Sequence, residues 1–236
     1  MPTVLITGAN RGVGLGFVHA FLEKGYTVIA AIRDVSKMPK LDGVITVKIA
    51  ADSKTDAKQA MEDLRSTHKI TTLDIVIANA AINPSGEHFK DTDPEDMEAA
   101  WRVNVLGPLI LFQATLPFQP AGSKFIVISS GAGTIDREHR LGSGAYGHSK
   151  AAVNFIVRKL HFEHPDLIVL SLDPGGVRTE MGNRGAIWMG MEESTKEVSD
   201  HMPTGYSAGM MRVIEHAEKT TTSGYMIFHD GSRMAF

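Results

Sequence analysis

The sequence predicts an α/β fold: one doubly wound domain over residues 1–236, with a seven-stranded parallel sheet and helices on both faces. Three observations predict it. Seven short apolar runs recur along the chain, segments with helical patterning separate them, and a glycine-rich turn joins the first run to the first helix. Nearly continuous Val, Ile and Leu marks strands buried on both faces, as in a parallel sheet covered by helices. Repeated strand–helix alternation is the pattern of a doubly wound sheet.

The elements follow in order. The strands are "TVLIT" (3–7), "TVIAAI" (27–32), "VITVKIA" (44–50), "LDIVIANA" (73–80), "KFIVISS" (124–130), "LIVLSLD" (167–173) and "GYMIFHD" (224–230). The first helix covers 13–24 and puts Val13, Phe17 and Phe21 on one face, with Ala20 or Val18. Further helices are predicted over 53–67, 94–116, 145–163 and 204–217. "TDPEDMEAAW" opens the third with Thr92 or Asp93 as its cap, then a proline and three acids in its first turns. Residues 180–203 carry the weakest pattern and read as a loop or short helices on the substrate side, a lid.

Composition narrows the function. The net charge of −3 gives no nucleic-acid footprint and no anchor for an anionic membrane. The chain has no cysteine, so it has no disulfide, thiolate metal site or cysteine nucleophile. No apolar run approaches the roughly 18 residues of a membrane span. The N-terminus runs directly into a strand without a signal-like segment, so the expected location is cytoplasmic. His161 and His164 read as helix-end residues, and no metal site is expected.

"TGANRGVG" leaves the first strand and opens the first helix, with glycines at Gly8, Gly12 and Gly14. Glycines here let the backbone turn tightly and approach a pyrophosphate at the helix N-terminus, where free N–H groups and the dipole favour an anion. The spacing is G-x3-G-x-G, a variant of the Rossmann-type fingerprint. The second strand ends "AAIRD". Ile32 stands where an NAD site places an acid for the ribose 2′-hydroxyl, and Arg33 follows. A guanidinium suits a 2′-phosphate, and Arg11 within the glycine loop offers a second positive charge. Asp34 opposes this if it turns to the ribose. The cofactor expected is NADP(H).

"AYGHSKAA" (145–152) places Tyr146 and Lys150 four residues apart on one helix face. A tyrosine with a pKa near 10 is a poor proton donor for reversible transfer, and a neighbouring cation lowers it. With the other motifs, the chain resembles the short-chain dehydrogenase/reductase family, and the match spans essentially its whole length. "ANAA" (78–81) is similar to the family's Asn-Ala motif, with Asn79 and Ala80 in place. Asn104 in "RVNVLG" resembles its helix asparagine, Ser130 in "VISSGAG" its strand-five serine, and "DPGGVRT" (173–179) its Pro-Gly motif.

The resemblance implies a catalytic set of Asn104, Ser130, Tyr146 and Lys150 for NADPH-dependent reduction of a ketone or aldehyde, with Tyr146 giving the proton. Ser130 would bond the substrate oxygen, Lys150 would hold the nicotinamide ribose, and Asn104 would hold a water leading to Lys150. The implied cofactor residues are Gly8, Asn10, Arg11, Gly12, Val13, Gly14, Arg33, Asp52, Asn79, Ala80, Tyr146, Lys150, Pro174, Gly175, Val177 and Thr179. Asp52 can equally cap the 53–67 helix. Ser129 is a near rival to Ser130, and Ser143 and Ser149 lie close, Ser149 facing about 100° away from Lys150.

Two departures from the family stand out: "ANAA" replaces Asn-Asn-Ala-Gly, and Ser130 to Tyr146 spans 16 positions, about three more than is usual. Similar long loops occur in the carbonyl-reductase-like branch that includes fungal norsolorinic acid ketoreductase-like and bacterial C-factor-like proteins. The expected substrate is therefore a small, hydrophobic or aromatic carbonyl compound. Ile82, Ser130, Met181 and Trp188 are the substrate-side residues, with Ile187, Met189 and Met191 in the same segment. A homodimer or homotetramer is implied, built through 94–116 and 145–163. Two rivals remain: an alcohol dehydrogenase working oxidatively with NAD, and an NADPH-sensing binding protein without turnover.

Overall fold

The structure is a computed structural model, which describes residues 1–139, 142–188 and 204–236. Its strands are β1 (Thr3–Thr7), β2 (Thr27–Ile32), β3 (Val44–Lys48), β4 (Ile75–Ala78), β5 (Lys124–Ile128), β6 (Ile168–Asp173), β7 (Met226–Phe228) and β8 (Arg233–Met234). Its helices are α1 (Gly12–Glu23), α2 (Asp56–Ser66), α3 (Pro94–Trp101), α4 (Gly107–Thr115), α5 (Gly144–Glu163), α6 (Glu180–Trp188) and α7 (Thr204–Glu215).

One sheet runs in the order β3-β2-β1-β4-β5-β6-β7-β8. The order reverses between β1 and β4, and a ligand crevice opens at such a point beyond the strand C-termini. The sheet corrects the expected seven strands. An eighth, two residues long, pairs antiparallel with β7 through Met226↔Met234 and Ile227↔Arg233.

Alternation along the strands divides the core in two. Val4, Ile6, Val28 and Ala30 pack with Phe17, Phe21, Met210 and Ile214 of α1 and α7. Leu5, Ile29 and Ala31 face the other way, onto Ala60, Leu64, Leu111, Phe112 and Val153 of α2, α4 and α5. Both faces are covered, so every central strand reads as apolar throughout.

The helix over 94–116 runs unbroken from Pro94 to Thr115, with a π-helical turn at Arg102–Leu106 between α3 and α4. Gly107 follows the turn, and a Cβ there would lie 2.8 Å from the Ala51 carbonyl oxygen, so α4 needs a glycine to pack this closely. One helix start is corrected: the second helix starts at Asp56, not 53. The Ser53 hydroxyl accepts from the Asp56 and Thr55 amides, whereas Asp52 is exposed and caps nothing. Asp93 does cap α3, accepting from the Glu95 amide at 2.9 Å.

Candidate active site

The glycine loop is built against the end of β4. Gly8 (φ +63°) and Gly12 (φ +54°) take left-handed backbone that L side chains rarely adopt. Asn79 secures the loop: its Nδ2 donates to the carbonyls of Thr7 at 2.9 Å and Gly8 at 3.3 Å. The Thr7 hydroxyl accepts from the amides of Asn79 and Ala80, both at 3.0 Å. A Cβ on Gly14 would sit 2.2 Å from the Gly8 oxygen and 2.6 Å from Asn79 Nδ2. Helix α1 begins here without a side-chain cap on its first amides, beside Asn10, Arg11 and Val13. Backbone that passes where side chains would collide, at an uncapped helix start, fits a nicotinamide dinucleotide's pyrophosphate.

The Pro-Gly segment after β6 comes to the same place. The Thr179 methyl lies 3.1 Å from where a Gly12 Cβ would be, and its hydroxyl caps α6 by accepting from Gly182 N. Arg11 pairs with Glu180 in the first turn of α6. Gly175, after Pro174, is left-handed (φ +71°) and Val177 is buried. Arg33 is exposed at the end of β2. The Asp34 Oδ1 accepts from both the hydroxyl and the amide of Ser36, which holds the carboxyl below its usual pKa and ties it to its own turn.

The serine turn packs directly on α5. A Cβ on Gly133 would reach 2.5 Å from the Lys150 carbonyl carbon, and one on Gly147 would reach 2.8 Å from the Ala132 oxygen. These two glycines bring Ser130 to Tyr146, where its hydroxyl favours the ionised phenol. Strand alternation settles the rivalry with Ser129, whose buried hydroxyl points away and donates to Asn154 Oδ1 at 2.7 Å. Lys150 is 2% exposed; its ammonium donates to the Ile128 carbonyl at 2.7 Å and lies 5.3 Å from the Tyr146 ring centre.

Burial pushes the Tyr146 phenol above its ordinary value, the nearby Asp173 carboxylate adds to this, and the Ser130 hydroxyl offsets it in part. Burial drives Lys150 the other way, down to about 8, against the raising pull of Asp173. The resulting state has Tyr146 protonated through neutral pH and Lys150 still mainly cationic.

Asn104 lies in the π-helical turn and is 1% exposed. Its side chain accepts from Ile82 N at 2.9 Å and donates to Ile82 O at 2.8 Å and to the Ser149 hydroxyl at 2.9 Å. It therefore fixes the segment after β4. Ser149 donates in turn to the Tyr146 carbonyl at 2.7 Å. This use of Ser149 carries no sequence signal, because a single helical wheel does not show a partner arriving from another helix.

The segment after β4 lies between two walls. Ser143 N donates to Glu87 O, and Gly142 lies against Gly86. The Trp188 ring, at the end of α6, covers the other side of Gly86; a Cβ there would come within 2.4 Å of Trp188 Cγ and Cδ2. Ile82 and Met181 are half-buried and Ile187 is exposed. The rest of the expected lid, including Met189 and Met191, lies outside the described residues. Among the described residues no cluster of three metal-ligating side chains occurs, and no helix is long and apolar enough to cross a membrane.

The sequence profile of the family described as short chain dehydrogenase matches residues 2–189. The chain is 38% identical to norsolorinic acid ketoreductase of Aspergillus parasiticus over 98% of its own length and 89% of that protein's. It is 37% identical to the norsolorinic acid ketoreductase of Dothistroma septosporum, covering 98% and 91%. Among solved structures it is similar to NADPH-bound carbonyl reductase from chicken fatty liver, with a TM-score of 0.84, 26% identity and coverage of 100% and 99%.

Proposed function

The chain belongs to the short-chain dehydrogenase family, an oxidoreductase family, and on that premise we propose that it reduces a hydrophobic or aromatic ketone or aldehyde with NADPH. The observation that carries this reading is the Ser130 turn packed onto α5 beside Tyr146, with the buried Lys150 ammonium 5.3 Å from the Tyr146 ring centre, at the sheet edge where the glycine loop and the Pro-Gly segment meet. Bound NADPH supplies the hydride that adds to the carbonyl carbon. Tyr146 gives its proton to the carbonyl oxygen, and Ser130 bonds that oxygen as its charge develops. Because burial keeps Tyr146 protonated, the acid is loaded for reduction at neutral pH. Lys150 places a positive charge beside the phenolate left behind. The names of the fungal ketoreductases and of the NADPH-bound carbonyl reductase support the direction and the cofactor.

Arg33 carries the preference for NADPH, with Asp34 turned to Ser36 rather than to the ribose. Arg33→Ala should weaken NADPH binding about tenfold, the low end for a charged hydrogen bond at an exposed site, and leave NADH binding unchanged. Fluorescence titration of both nucleotides checks it; equal losses for both would remove the phosphate role. Asp52, Asn10 and Val177 complete the cofactor residues.

Trp188, Met181 and Ile82 form the apolar wall for the substrate. Trp188→Ala should raise KM for a polycyclic aromatic ketone about three- to tenfold, the worth of one aromatic pair, without changing NADPH affinity. Steady-state kinetics on aromatic and short aliphatic ketones tests this, and an equal rise for both would remove the stacking role. A homo-oligomer in the cytoplasm fits the exposed Trp101, Phe155 and Phe162 on α3 and α5, which light scattering would read as a mass above 25.6 kDa.

A further inference from the structure

Asp173, the last residue of β6, is an acid at a position where burial is costly. It is 5% exposed, and among the described residues no Lys or Arg forms a salt bridge with it. A buried carboxylate without a cation needs strong donors. It has two, one on each oxygen: Gly131 N donates to Oδ2 at 2.6 Å, and Gly175 N donates to Oδ1 at 2.8 Å.

These donors belong to two different parts of the site. Gly131 follows Ser130 on the turn after β5. Gly175 is the left-handed residue of the Pro-Gly segment after β6. β5 and β6 are neighbours in register through Ile128↔Leu172, so one carboxylate spans the two strand ends. The charged and titratable groups around it are few. Tyr146 and Lys150 face it from α5, both feeling its charge. The Arg137 guanidinium reaches the Gly131 carbonyl from the segment after β5, and His229 lies against Gly175 from beyond β7.

We propose that Asp173 is a positioning residue of the reduction: its buried carboxylate clamps the Ser130 turn to the Gly175 loop and lays a fixed negative charge behind Tyr146 and Lys150. The proposal rests on Tyr146 being the proton donor. The clamp fixes the distance between the group that bonds the carbonyl oxygen and the loop expected at the nicotinamide. The charge opposes loss of the phenol proton and favours the protonated amine, which holds the donor loaded and its neighbour cationic over a wider pH range.

The test is the pH profile of kcat/KM for phenanthrenequinone reduction by NADPH, in wild type, Asp173→Asn and Asp173→Glu. The Asn variant keeps the shape but loses the charge and one of the two acceptors. Its alkaline limb, where Lys150 and then Tyr146 lose their protons, should move to lower pH by about one unit, because Asp173 favours the protonated form of both. The Glu variant keeps the charge on a longer arm, so its limb should stay in place while kcat falls. A merely structural role lowers rates in both variants without moving either limb. A folded Asn variant with its limb at the wild-type pH would overturn the proposal. If the Asn variant does not fold, Asp173→Ser takes its place as the uncharged variant: a limb displaced to lower pH supports the proposal, and one at the wild-type pH overturns it. Failure of the underlying reading looks different: Tyr146→Phe then keeps the wild-type profile.

Discussion

Tyr146→Phe should lower kcat for carbonyl reduction by about 10²- to 10⁴-fold, the range for a lost general acid. NADPH affinity should stay within about twofold, because the ring remains and only one hydroxyl is removed. Among the described residues, neither neighbour of the phenol is suited to take over. Ser130 is an unactivated hydroxyl held in the turn it caps, accepting from Ala132 N at 3.2 Å. Lys150 is turned to the Ile128 carbonyl. The change is small enough to preserve the fold, since the hydroxyl lies beside Ser130 and the Tyr146 backbone is held by Ser149. NADPH oxidation followed at saturating ketone, with a nucleotide titration on the same sample, checks both halves. Turnover within a factor of a few of wild type would mean that another group donates the proton.

The second large effect is expected at the other end of the site. Gly14→Ala adds one methyl group where the Gly8 carbonyl oxygen would be 2.2 Å away and Asn79 Nδ2 2.6 Å away. Neither is a flexible side-chain end: one is backbone, and the other is an amide bonded to two carbonyls. The backbone of Gly14 is helical, so the cost is steric rather than conformational. Overpacking of this kind destabilises by about 1–3 kcal/mol, a fall of several degrees in Tm for a chain of this length. NADPH binding should fall further still, because the displaced group is the loop itself. Gly185→Ala is the matched control, with open space where its Cβ would lie, and should leave Tm within about one degree. A Gly14→Ala protein that melts and binds NADPH like wild type would contradict the close packing on which the cofactor loop depends.

The sheet was legible because its central strands are buried on both sides and therefore apolar throughout, while the edge strand β3 is only partly covered. β8 was not, since two residues carry no pattern and form a strand only by meeting β7. The π-helical turn at Arg102–Leu106 was hidden for a related reason: it is five residues inside a longer helix, too short a stretch for its wider period to show. It places Asn104 where its side chain can hold Ile82, a contact between positions 22 apart.

Individual site residues were recognisable wherever spacing along the chain mattered: the glycines, Ser130, and the Tyr146–Lys150 pair. What spacing could not supply was the balance of forces among them. A lysine four residues on argues for an acidic phenol, but burial acts on both groups and wins, raising Tyr146 and lowering Lys150. Asp173 belongs to the same class. In sequence it is one acid before a proline and a glycine; only folding sets it between two loops.

The central claim is that this chain uses NADPH to reduce a carbonyl compound. The most direct measurement is the stoichiometry of one reaction: purified wild-type protein, NADPH and phenanthrenequinone, with nucleotide loss followed by absorbance and the organic product quantified by chromatography. With oxygen excluded, the account predicts one equivalent of two-electron-reduced product, the hydroxyketone or its hydroquinone tautomer, per NADPH consumed, and loss of both signals in Tyr146→Phe. NADPH that binds but is not consumed by this or any aromatic or aliphatic carbonyl offered would contradict it.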